Sequence, residues 1–88
     1  KGFRFEAHRR GRIIHMGERA PADGTVFAVF TPAQARVVLI RNGKPYRESD
    51  GRTHRFSRLQ PGVYRVEVRH RHGLGYRAWI YSNPIYLD

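Results

Sequence analysis

Apolar and polar residues alternate with a period of two along most of the chain. Phe3, Phe5 and Ala7 interleave with Arg4, Glu6 and His8, while Tyr64, Val66 and Val68 interleave with Arg65, Glu67 and Arg69. Successive side chains of an extended strand point to opposite faces, so each segment reads as a strand with one buried and one wet face. Two further runs, Val26-Phe27-Ala28-Val29-Phe30 and Val37-Val38-Leu39-Ile40, are apolar without a break and rich in β-branched or aromatic residues, as in a central strand covered on both faces. No segment sustains a helical period over three turns.

Turn chemistry punctuates these runs. Pro21-Ala22-Asp23-Gly24 predicts a turn before residues 25–31, and Thr31-Pro32-Ala33-Gln34 a link to the run ending at Arg41. Asn42-Gly43, whose two residues tolerate positive φ, predicts a type I′ hairpin into 44–48, with Pro45 marking an edge. Asp50-Gly51 reads as a second such turn before 53–59, and Gly73-Leu74-Gly75 as a loop between strands 63–71 and 76–81. The last extended piece, 82–87, carries Pro84.

The segment Leu59-Gln60-Pro61-Gly62-Val63-Tyr64 has the form of a β-sandwich corner. Leu59 closes one strand into the core, Pro61 and Gly62 turn the chain, and Tyr64 sends its ring inward with its hydroxyl on a backbone group just upstream. The expected fold is therefore all-β, an immunoglobulin-like antiparallel β-sandwich of about seven strands, with a small barrel as the alternative. Trp79 is expected to anchor the core between the sheets.

Eighty-eight residues make one domain, 1–88, with little room for an enclosed active site. No apolar run approaches the roughly 20 residues of a helical membrane span. The chain has no cysteine, which removes disulfides, zinc–thiolate sites and thiol nucleophiles together, and a cytoplasmic setting fits. A start at Lys1, without initiator methionine or signal-peptide layout, reads as a piece of something longer.

The formal charge of +10, carried mostly by arginine, would attract nucleic acid or another polyanion, and would equally well solvate outward strand faces. Arg65, Arg69, Arg71 and Arg77, with Tyr76 and Tyr81 beside them, form the candidate anion or partner surface. His70 and His72 fall on one face of an extended strand and are the only metal candidates, but two imidazoles do not make a site. His8, His15 and His54 are single and read as surface or half-buried side chains. The carboxylates are dispersed, the serines lack a nucleophile-elbow context, and Gly73-Leu74-Gly75 lacks the third glycine and helix of a dinucleotide loop. The chain itself therefore supplies no organised catalytic set and no cofactor site.

Four segments, Met16-Gly17-Glu18, Ile40-Arg41-Asn42-Gly43, Gly62-Val63-Tyr64-Arg65-Val66-Glu67-Val68 and Trp79-Ile80-Tyr81-Ser82-Asn83-Pro84-Ile85-Tyr86-Leu87, resemble, in this order, the C-terminal region of bacterial proteins with an N-terminal PHP domain. The resemblance implies a noncatalytic accessory sandwich following a metal-dependent phosphoesterase barrel. The divalent metals and the hydrolase activity would belong to that upstream part, which would also be the partner of this domain. An independent polyanion-binding module is the alternative.

Overall fold

Asn42 and Gly43 both take positive φ, 51° and 83°, and close the hairpin their dipeptide predicts. It joins the two longest strands of an all-β chain. The computed structural model describes residues 2–88 apart from the His72 side chain. The strands are β1 (Arg4–Arg9), β2 (Arg12–His15), β3 (Arg19–Ala20), β4 (Val26–Arg41), β5 (Lys44–Phe56), β6 (Gly62–His72), β7 (Gly75–Tyr81) and β8 (Ile85–Leu87). Among the described residues there is no helix, and so none long and apolar enough to cross a membrane.

Two expected breaks are absent, because β4 and β5 run straight through Thr31-Pro32-Ala33-Gln34 and Asp50-Gly51. Phe30 pairs with Thr53 and Ala35 with Gly51, so residues 31–34 stand against Arg52 alone. The long hairpin bends here without ending. Pro32 has no N–H to give a ladder, and the Thr31 hydroxyl donates to the Ala33 carbonyl at 2.7 Å while lying 3.4 Å from the Gly51 and Arg52 carbonyls.

The bend lets one strand serve two layers. The first half of β4 pairs with β1 and its second half with β6, with β5 alongside both. The sheet order is β2-β1-β4-β6-β8-β3, with β5 and β7 as side branches on β4 and β6. Residues 12–20 meet β1 at one end, through β2, and β8 at the other, through the parallel β3 pairing. The eight-stranded sheet thus wraps almost closed around its core, joining the two sandwich faces into a near-barrel.

The core contains the residues that strand alternation selects. Phe5 and Ala7 from β1, Phe27, Val29, Val37 and Leu39 from β4, Tyr64, Val66 and Val68 from β6, and Ile85 and Leu87 from β8 are all buried. Phe27 lies at its centre, edge-on to Phe5 at 5.1 Å and to Tyr64 at 4.9 Å between ring centroids.

The corner forms as the sequence predicts. The Tyr64 hydroxyl donates to the Gln60 carbonyl at 2.5 Å, Leu59 is buried, and burial pushes the Tyr64 hydroxyl pKa up to about 12. Further side chains brace the same loop. Arg41 donates from Nε and Nη2 to the Pro61 carbonyl, Arg47 donates to the Ser57 and Arg58 carbonyls, and Tyr46 Oη accepts weakly from the Gln60 N–H at 3.4 Å. Both guanidinium groups also lie over the Tyr46 ring, at 5.6 and 4.9 Å. A Cβ on Gly62 would sit 3.0 Å from Arg41 Nε and 3.1 Å from Asn42 Oδ1, so glycine at this position leaves room for the clamp.

His54 is a correction to the sequence reading. Paired with Val29 on β5, it is buried, with Nδ1 2.9 Å from Ser49 Oγ and Nε2 without a partner among the described residues. Burial holds its pKa below the ordinary 6.5, although the Gly51 backbone and the Asp50 carboxylate act in the other direction. Unfolding therefore takes up a proton in mildly acid solution. The stability conferred by neutral His54 is present above about pH 6.5 and is lost as the pH falls through the folded-state value. The urea midpoint should drop between about pH 7.5 and 5, and His54→Leu should flatten that slope; equal slopes in the two proteins would refute the assignment.

Candidate binding surface on the hairpin arm

The inward row of β6 is covered by the core as far as Val68, and beyond Arg69, which still pairs with Arg36 of β4, β6 and β7 continue as an exposed two-stranded arm with Gly73 and Leu74 at its tip. Paired residues of neighbouring strands share a face. His70 extends the inward row past the end of the core, and Arg77 lies opposite it.

Trp79 does not anchor the core. Counting outward from the tip, the pairs are His72 with Gly75, Arg71 with Tyr76, His70 with Arg77 and Arg69 with Ala78, which would place Trp79 opposite buried Val68. Instead Ile80 pairs with Val68 and packs against the core, and Trp79 is the extra residue of a β-bulge. Its side chain is 44% exposed, with its ring 5.2 Å from that of His70 at an interplanar angle of 70°. His70, Arg77, Ala78 and Trp79 line an open groove of about 380 Å³.

The four arginines expected as one stripe divide between the two faces. Arg65, Arg69 and Arg71 follow the outward row of β6, while Arg77 shares the inward face with His70. Two of the outward three are already engaged. Arg69 pairs with Glu67 at 3.2 Å; Arg65 donates to the Ser82 carbonyl at 3.3 Å and lies 5.7 Å from the Tyr81 ring centre. Arg71 lines a second depression, of about 270 Å³, with Gln34, Ala35, Arg36, Asp50 and Tyr76. There Arg36 pairs with both Asp50 and Glu48, lies 5.1 Å from the Tyr76 ring centre and holds the Asp50 carboxyl below its usual range by hydrogen bonding. Among the described residues, Arg71 and Arg77 have no hydrogen-bonding or ionic partner within the chain.

Comparison of the chain with protein-family models, with curated proteins and with solved structures finds no match. The reading of the surface therefore rests on its own chemistry.

Among the described residues no three His, Asp or Glu side chains converge to hold a metal ion. His70 faces Trp79, and the His72 side chain lies outside the described residues. Six of the seven carboxylates are occupied structurally: Glu6 with His8, Glu18 with the His15 N–H, Glu48 and Asp50 with Arg36, Glu67 with Arg69, and Asp88 with Arg19; Asp23 lies in the turn before β4, where its backbone carbonyl accepts from Arg9. Among the described residues Ser49 and His54 make the one contact with the form of a nucleophile–base pair. His54 is sealed in the interior and carries no carboxylate on Nε2, so the pair is a packing contact.

Proposed function

We propose that this domain is a noncatalytic accessory module carried behind the barrel of a PHP-type metal-dependent phosphoesterase. One observation carries the reading: the separated motifs that bear the resemblance meet in space and support one another. The Gly17 N–H donates to the Pro84 carbonyl at 2.6 Å, and the Tyr86 N–H to the Glu18 carbonyl at 3.0 Å, stitching Met16-Gly17-Glu18 to the closing segment. Asn42 and Val63 exchange two bonds of 2.8 Å, tying the hairpin motif to the corner motif. Buried Ser82 accepts from the Val66 N–H and donates to the Asn83 carbonyl, holding the crossing from β7 to β8.

Residues of these motifs thus hold the fold together, the role expected in an appended domain whose chemistry is performed elsewhere. The engagement of six of the seven carboxylates in ion pairs and backbone bonds supports the same reading. The reading frame upstream of Lys1 is the direct test: a barrel with histidine and aspartate metal ligands is expected, and a different kind of domain there would overturn the proposal. The 88-residue chain alone should leave a generic phosphate ester intact with manganese or zinc supplied, and metal-dependent turnover abolished by His70→Ala would equally overturn it.

A further inference from the structure

We propose that the inward groove of the arm binds a nucleotide unit, with the base stacked on Trp79 and the phosphate held by Arg77. The groove, at about 380 Å³, lies at the small end of the range for ligand sites, and its walls stand on two hydrogen-bonded strands. The bulge turns the largest apolar side chain of the chain out of the core, beside a cation with no partner among the described residues. From Val68 to Leu87 the sequence contains no carboxylate, and the nearest, Glu67, is paired with Arg69 on the opposite face. Among the described residues the groove lining carries no carboxylate, so an anion there meets an arginine, a histidine and an indole.

The lining also selects among anions. The planar fork of Arg77 matches a phosphate, and the Trp79 indole offers a flat surface that any nucleobase can stack on. A sugar stacked on Trp79 would need amide or carboxylate side chains for its hydroxyls, and the groove lining of His70, Arg77, Ala78 and Trp79 contains neither. An acidic peptide would use the arginine and leave the indole idle. A free mononucleotide and a single-stranded nucleic acid both present a base beside a phosphate. The inference stands on the groove alone, so it can fail while the phosphoesterase reading survives, and the reverse.

Trp79 is the only tryptophan, so its fluorescence reports on the groove directly. The 88-residue chain would be titrated at about 50 mM salt with AMP, with a short oligothymidylate and with inorganic tripolyphosphate, which has no base. The oligothymidylate is expected to quench Trp79, with tripolyphosphate competing but not quenching. Quenching by AMP as well identifies a mononucleotide site. Quenching by the oligomer alone, with affinity falling steeply between about 50 and 200 mM salt, identifies single-stranded nucleic acid. With a labelled oligomer, Trp79→Ala should weaken binding about 5- to 150-fold and Trp79→Phe should recover most of it. Arg77→Ala should weaken binding at least about fivefold, while Arg12→Ala, on β2, should leave it nearly unchanged. The inference is overturned if neither nucleotide quenches, if tripolyphosphate quenches equally, or if Arg12→Ala costs as much as Arg77→Ala.

Discussion

Phe27→Ala should bring the domain to the edge of unfolding. The side chain is fully buried and contacts the rings of Phe5 and Tyr64, on the strand that connects the two layers. Removing a buried phenyl ring costs about 3–5 kcal/mol, through lost transfer energy and the cavity left behind. A domain of this size holds roughly 4–13 kcal/mol in total. Urea denaturation followed by circular dichroism is the suitable measurement, because Trp79 lies outside the core and is a poor reporter of it. As a control, Ile13→Ala, half-exposed on β2, should change stability by no more than about 0.5 kcal/mol. Equal losses in the two variants would refute the central position of Phe27.

The second large effect is at the corner. Tyr64→Ala should cost a similar 3–5 kcal/mol or so, and Tyr64→Phe should recover all but about 1–3 kcal/mol, the cost of leaving the Gln60 carbonyl without its donor. Tyr46→Phe should cost less than Tyr64→Phe, since Tyr46 Oη holds the Gln60 N–H only at 3.4 Å at an exposed position. The raised Tyr64 pKa adds an alkaline signature. A folded-state value of about 12, above the ordinary 10.0, confers stability that is complete below about pH 10 and is lost as the pH rises through 12. Tyr64→Phe should lose less stability than the native chain over that interval, and an unchanged urea midpoint in Tyr64→Phe at neutral pH would remove the corner bond from the account.

Much of the fold was legible because it depends on neighbours in sequence. Alternation identified Phe5, Ala7, Tyr64, Val66 and Val68 as inward, and the unbroken run from Val26 to Phe30 does lie between β1 and β5. Asn42-Gly43 and Pro61-Gly62 carry their geometry in their own backbone preferences. Asp50-Gly51 and Thr31-Pro32 look equally turn-like, yet the ladder bends through them, because pairing resumes on the far side with Ala35 opposite Gly51. The clamp of Arg41, Tyr46 and Arg47 on residues 57–61 brings together side chains from β4 and β5 with a loop 10 to 20 residues away. The sequence carries no local signal for it beyond Arg47 beside Tyr46 and Arg41 across the Asn42-Gly43 turn.

By itself, the sequence determined the all-β class, the inward rows of β1 and β6, the Asn42-Gly43 hairpin and the Tyr64 corner. Each follows from side-chain period or backbone preference within a few residues. Only the tertiary structure decided the continuous bend of β4 and β5, the burial of His54 and the division of the arginines between two faces. It also decided that Ile80 takes the core position opposite Val68 while Trp79 turns into the groove with His70 and Arg77. A single extra residue in β7 reverses which side chain faces inward, and that register is set by long-range pairing against β6, where no local propensity can express it.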